Sequence, residues 1–430
     1  MWQRFKNNLL LRRLLTVLSL DVLVKASAFI LMPLYLRLMT QAEYGIFNYI
    51  LSIVYCYSVL LNLGLYVPQS KLFHDFTDQK EKGRLIYNIN LLILGGMLLL
   101  VVPVYCFGLD FHIVKLLFTN TVDYPRYRWL ILLMTLTALL AYMLTNFFYT
   151  AERIDLIKQF NLMRVIGINV ISLSALYFLK KRDSIQVRFM AIGFVEGALI
   201  LTYYIHCIRV MQPKIDKKLM IRSLKLGLPI MFNTFSAIVI NYGDKFFLER
   251  YSGYNQLSVY YLAFSFSSII SLISLSLQNV WLPLFFKEKD LQRNMYKTRK
   301  MMIRLTLGII ALSCAIMVAL VVFLWLGIVP ANYHETLYVL PIMLVSQILA
   351  CLGLQYSNYL FYFEKTVFVL LAGIAISVVD TLMNMYFVAR FSIYGAAFTL
   401  LVSNALFLTI YYWFYSYYRK KHNFPSYGHL

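Results

Sequence analysis

Residues 18–49 read LSLDVLVKASAFILMPLYLRLMTQAEYGIFNY. An apolar run reaches Leu38, a few polar residues follow, and a second apolar run opens at Gly45. The hydrocarbon core of a bilayer is ~30 Å thick, and a helix rising ~1.5 Å per residue needs roughly 20 apolar residues to cross it. The stretch therefore reads as the end of one membrane span, a tight turn and the start of the next. Outward from it the same rhythm recurs about twelve times, with spans at 14–38, 45–67, 86–108, 129–150, 160–179, 189–208, 226–249, 257–282, 302–327, 337–360, 367–388 and 394–417. The runs are continuous and do not alternate, which argues for helices over barrel strands. At 61% hydrophobic residues and a mean hydropathy of +0.69, the 430-residue chain reads as an all-α polytopic membrane protein.

The longest connectors, 69–84, 110–128, 210–225 and 285–300, leave no room for a separate catalytic domain. The first apolar run lacks a small-residue cleavage site after it and is expected to stay as a span. The net charge of +21 would suit a nucleic-acid binder, but the basic residues lie between spans and no nucleic-acid partner is expected. An even span count puts both termini on one side. With that side in the cytoplasm, 27 of the 40 Lys and Arg fall inside and 10 outside, as the positive-inside rule requires. The most basic connector, 210–225, divides the chain into an N-terminal six-helix bundle (1–209), a basic cytoplasmic linker, a C-terminal six-helix bundle (226–418) and a cytoplasmic tail (419–430). The segments LMTQAEYGIFNY (38–49) and YSGYNQLSVYYL (251–262) follow the first span of each half and share a polar turn with Gly and Tyr, as parallel repeats would.

A charge at the bilayer centre costs ~2.5 kcal/mol or more, so each intramembrane charge asks for a reason. Asp21 and Lys25 lie four apart on one helical face and can pair, with Lys25 about 16 Å along its span. Asp244 and Lys245 sit in span seven, followed by Glu249 and Arg250; Asp380 lies near the middle of span eleven, with Asn384 one turn on. Arg164 and Glu196 fall in spans five and six. Polar side chains in spans also serve as glue between helices, which suits the scattered asparagines Asn62, Asn241, Asn358 and Asn404. Lysine and arginine lining a wet cavity attract phosphate or pyrophosphate, while carboxylates beside them carry a proton or sodium coupling ion. The 34 Tyr and 32 Phe suit interfacial belts and packing, so none is singled out for sugar binding. The chain carries no P-loop, GxSxG or HExxH; its six histidines are scattered, and its five cysteines show no CxxC spacing. No enzyme activity, metal site or cofactor is expected.

Several landmarks resemble the polysaccharide-transporter branch of the multidrug/oligosaccharidyl-lipid/polysaccharide exporter superfamily, typified by the Wzx-type O-antigen flippases. They are the first span with its LMTQAEYG turn (38–45), NLGL (62–65), KLGLPIMFN (225–233), NYGDKFFL (241–248) and IYGAA (393–397), in that order across the whole chain. The resemblance implies twelve helices in two bundles around a cationic central cavity. It also implies transfer of undecaprenyl-pyrophosphate-linked oligosaccharide across the bacterial inner membrane by alternating access. Partners would be that substrate, membrane lipids, and a polysaccharide polymerase with its chain-length regulator. Lys25 and Asp244–Lys245 match positions where relatives place cavity charges. Lys25, Lys245 and Arg164 are then candidates for the pyrophosphate, and Asp21, Asp244 and Asp380 for coupling or charge balance. Each cavity lysine has an acid at hand, Asp21 or Asp244, and tight pairs would make the cavity less cationic. Two rivals differ in testable ways. A cation-coupled multidrug exporter or peptidoglycan-precursor flippase would share the fold, the exporter favouring acidic and aromatic lining. A membrane-embedded polymerase or ligase would carry a large outer loop, which this sequence lacks.

Overall fold

The computed structural model describes residues 31–119, 122–179, 183–287, 290–363 and 366–421. Among these the chain is helical with no strand, and nine helices are long and apolar enough to cross a membrane. Two helical rods, Lys217–Lys287 and Thr366–Lys421, are each broken once, at Gly253 (φ 78°) and at Ser392 (φ 52°). Each break separates two of the expected spans, 226–249 from 257–282 and 367–388 from 394–417. Counting each broken rod as two gives eleven crossings. The first expected span, 14–38, lies outside the described residues except for its last turns at 31–38.

The quoted stretch folds more tightly than its composition suggests. The second helix, Gln41–Leu61, starts four residues before the expected boundary because Thr40 and Glu43 form a capping box. The Glu43 amide donates to the Thr40 hydroxyl at 3.3 Å, and the Thr40 amide donates to the Glu43 carboxylate at 2.7 Å. Two orphan amides of the first turn are thereby satisfied, and Gly45 is buried inside the helix instead of in a turn.

The chain parts into two compact units between Ile238 and Val239. In the first, the helix Tyr124–Thr150 packs against Gln41–Leu61 and Ser184–Tyr203, and Ile154–Phe178 packs on Ser184–Tyr203. A continuous apolar core includes Leu65, Leu85, Ile89, Leu139, Phe147 and Phe160. Two of the short motifs meet here. In NLGL, Leu63 and Gly64 adopt left-handed backbone (φ 54° and 66°) and end the helix at Leu61. A Cβ on Gly64 would lie 2.2 Å from the Gly227 carbonyl oxygen, and one on Gly227 would lie 2.6 Å from that of Leu63. Only paired glycines allow this backbone contact. Asn88 reinforces it nearby, donating to the Lys214 carbonyl at 2.8 Å and accepting the Asp216 amide at 2.9 Å. The basic connector 210–225 is thus fastened to the first unit, and the rod it leads into has already begun at Lys217.

In the second unit, Thr336–Tyr362 packs most heavily on the rod Thr366–Lys421 and also on Leu291–Trp325. Gly353 sits beneath the Phe407 ring, where a Cβ would come within 2.3 Å. The core is partly polar: Gln278 exchanges bonds of 2.6 and 3.2 Å with Asn358 and accepts from Gln355 at 3.0 Å, and Asn358 donates to Gln355 at 3.5 Å, closing a buried amide triangle. In an apolar solvent such a network is stable only when its members satisfy one another, which is the gluing role read for Asn358.

Candidate functional site

Asn241, Asp244 and Lys245 follow one another at spacings of three and one on the rod Lys217–Lys287, which brings Asn241 and Lys245 onto one face. Asp244 and Lys245 are almost wholly buried, at 1% and 0% exposure. The Lys245 ammonium donates to the Asn241 carbonyl at 2.6 Å and to Asp244 Oδ1 and Oδ2 at 3.0 and 3.3 Å, with the Phe264 ring centroid 3.8 Å away. Tyr260, buried beyond the Gly253 break, donates its hydroxyl to Asp244 Oδ2. The two charges cancel and their polar atoms are paired, so the tight pairing named as a condition on the cationic cavity holds for Asp244–Lys245.

Asp380 lies beside this pair. Gly243 backs onto it closely enough that an added Cβ would stand 3.7 Å from Asp380 Oδ2. The carboxyl accepts from the Ser403 hydroxyl at 2.6 Å and from the Asn384 amide at 2.9 Å, and it makes no ion pair among the described residues. Asn384 Oδ1 is buried without a partner among the described residues. Three of the sequence candidates, Asp244, Lys245 and Asp380, thus gather within the second unit. The cluster holds two carboxyls and one ammonium in a low-dielectric setting where a change of one charge is felt strongly by the others.

Arg164 belongs to the first unit. Its Nε donates to Glu196 Oε1 at 2.8 Å and its Nη2 donates to the same oxygen. The Glu196 side chain is buried at 4%, whereas Arg164 keeps 37% of its side chain exposed. Glu196 Oε2 has no partner among the described residues. The guanidinium is therefore anchored along one edge with the rest of its donor fork turned outward. Lys25 and Asp21 lie outside the described residues.

Two basic groups escaped the sequence reading. Arg128 and Asp110 fall in the connector 110–128, yet they form an ion pair in which Asp110 is buried and Arg128 partly exposed: Arg128 Nη2 donates to Asp110 Oδ1 at 3.1 Å and to the Tyr105 carbonyl at 2.6 Å. Tyr124 donates to Asp110 Oδ2 at 2.8 Å, and the Arg128 guanidinium lies 4.9 Å from the Phe111 ring. The available signal was Gly108, which takes a left-handed backbone (φ 68°) and opens the short helix Leu109–Leu117. Arg188 stands 3.8 Å from the rings of both Tyr35 and Phe47. Its helix begins at Ser184, capped by Asp183, so a residue read as a connector charge is one turn inside.

Comparison with known proteins places this geometry. A sequence model of the family described as "Polysaccharide biosynthesis protein" matches residues 10–289. No curated protein sequence matches the chain. Among solved structures, the lipid II flippase MurJ in an inward closed conformation is similar at a TM-score of 0.68 and 14% identity, over 92% of this chain and 87% of that one. An inward-facing multidrug resistance MATE family transporter of the MOP superfamily is similar at 0.68 and 11% identity, over 95% of each chain. A mutant of the Vibrio cholerae MATE transporter VcmN follows at 0.56 and 12% identity, over 96% of this chain and 97% of that one. At these identities the likeness is one of fold, and it is the fold of MurJ and the MATE transporters.

Proposed function

We propose that this chain, which belongs to the polysaccharide biosynthesis protein family, is a flippase for undecaprenyl-pyrophosphate-linked oligosaccharide repeat units in the bacterial inner membrane. The observation that carries the reading is the family match over 10–289, on a fold shared with a lipid II flippase. A sugar chain cannot cross hydrocarbon unaided, because its hydroxyls would lose their hydrogen bonds to water. The polyprenyl tail can stay in lipid while the head passes along a wet path, by alternating access, toward O-antigen, capsule or exopolysaccharide synthesis. Both termini lie in the cytoplasm in this reading, and a polymerase with its chain-length regulator takes the product.

The residues divide the work by their surroundings. Arg164, anchored by Glu196 and partly exposed, is the candidate donor to the pyrophosphate, joined by Lys25 of the first span. Lys245, enclosed by Asp244 and Asn241, can meet an anion only after that enclosure opens, and in its closed form it balances Asp244. Asp380, held by a hydroxyl and an amide, is the candidate for proton or sodium coupling, with Asp244 beside it. The equal TM-scores to MurJ and to a MATE transporter favour keeping drug export as the second reading.

The test is deletion of the gene with plasmid rescue. The expected result is loss of surface polysaccharide, build-up of the lipid-linked repeat unit, and recovery with the wild type but not with Arg164→Ala at matched protein level. Normal polysaccharide in the deletion strain, with altered drug resistance, would overturn the flippase reading in favour of the exporter.

A further inference from the structure

A second basic locus lies in the second unit, away from the intramembrane charges discussed so far. A cavity of about 570 Å³ opens among the helices Leu291–Trp325, Thr336–Tyr362 and the last turns of Thr366–Lys421. Its polar wall includes Arg299, Arg419, Tyr356, Tyr359, Tyr412 and Tyr415, and none of its described lining residues is acidic. Arg299 precedes the apolar run 302–327 and Arg419 follows the apolar run 394–417, so both stand at one membrane surface. The charge count of the sequence assigns that surface to the cytoplasm.

Arg164 and Arg128 are paired with Glu196 and Asp110, whereas neither Arg299 nor Arg419 forms an ion pair among the described residues. Arg419 Nε is buried and has no hydrogen-bond partner among the described residues, and its guanidinium lies 6.0 Å from the Tyr415 ring. A buried donor left unmatched costs free energy that a ligand oxygen would recover. The tyrosines pack edge to face and tilted, with centroids 5.2 Å apart for Tyr356–Tyr412 and 4.6 Å for Tyr359–Tyr415. They form an aromatic wall beside the cations.

We propose that this cavity receives a phosphate or pyrophosphate head carried by a lipid, with Arg299 and Arg419 on the anion and the tyrosine wall against the group attached to it. Arginine forks match phosphate oxygens two at a time, and Tyr412, half exposed, offers a face to a sugar or glycerol. Two lipids carry this chemistry to a cytoplasmic surface: the polyprenyl pyrophosphate of the proposed substrate and the anionic phospholipids of the leaflet itself. The inference rests on the flippase reading only for the choice between them. If the substrate is the source, the cavity is a docking point at which the head is held before transfer.

The experiment uses the full-length protein in detergent and reads lipid binding by native mass spectrometry. The probes are undecaprenyl pyrophosphate, phosphatidylglycerol and phosphatidylcholine. Wild type is expected to prefer the first two over phosphatidylcholine. Each arginine changed to Gln is expected to weaken the preferred lipid about tenfold, and Arg299→Gln/Arg419→Gln together about a hundredfold. Preference for undecaprenyl pyrophosphate makes the substrate the source; equal binding of phosphatidylglycerol makes it the leaflet. Unchanged affinity of the double variant for both anionic lipids overturns the site. Should the double variant not fold, Arg299→Gln alone, at an exposed position, separates the same outcomes: weakened anionic lipid supports the site and unchanged affinity overturns it. Flipping in proteoliposomes is measured separately: failure to flip with arginine-dependent binding intact counts against the transport reading and leaves the cavity assignment standing.

Discussion

Replacing Lys245 by Met is the sharpest probe of the intramembrane cluster. The ammonium has 0% exposure and three bonded oxygens within 3.3 Å. Its loss leaves the Asp244 carboxylate buried at 1%, with the Tyr260 hydroxyl and the Lys245 backbone amide as its donors among the described residues. Breaking one side of a buried pair costs about 3–5 kcal/mol, and Asp244→Asn, which strands the ammonium, falls in the same range. Asp244→Asn with Lys245→Met removes both charges and keeps the Asn241 and Tyr260 surroundings nearly filled. Its destabilisation is expected to be about 1 kcal/mol, so the double-mutant cycle should return a coupling of several kcal/mol. Unfolding in detergent with denaturant, fitted for all four proteins, measures it. Additive effects, or a Lys245→Met protein as stable as wild type, would falsify the closed-pair assignment. The stable double variant then serves a second purpose, since polysaccharide export that persists in it removes the pair from coupling.

Three further outcomes follow from geometry already described. Ser392→Gly should stabilise the protein by about 1 kcal/mol, since a serine at φ 52° is strained and its hydroxyl is buried unpartnered; denaturant midpoints check this, and a drop in stability refutes it. Gln278→Leu should cost about 1–3 kcal/mol by orphaning Gln355 and Asn358, and a neutral result would show that the amide triangle does not glue the core. Arg164→Lys should export less polysaccharide than wild type but more than Arg164→Ala at equal protein level, because an ammonium keeps the charge but not the fork. Equal export by all three would take Arg164 out of the path.

What the sequence disclosed followed from length and cost. Apolar runs of 20 residues are long-range signals that local details do not erase, and the described spans fall close to the expected ones, broken at Gly253 and Ser392 where short polar gaps stood. The cost of a buried charge pointed to Asp244, Lys245, Asp380 and Arg164 before any partner was known. Partners were harder. Asp244 stands next to Lys245 and could be named, whereas Glu196 lies 32 residues from Arg164 and Ser403 lies 23 from Asp380, so pairing depended on helix packing that no local pattern reports. The glycine motifs stood out as landmarks, but nothing local in NLGL or KLGLPIMFN reports that Gly64 and Gly227 meet.

That glycine contact bears on how the gene can be cut. A fragment ending at residue 209 would surrender Asp216 and Gly227, and with them the bond to Asn88 and the backbone seat beside Leu63. Co-expressed halves divided at the basic connector are therefore built with the seam in the wrong place. A first piece carried on through the opening turns of the rod, past Gly227, keeps its own lock and is the fragment suited to complementation work.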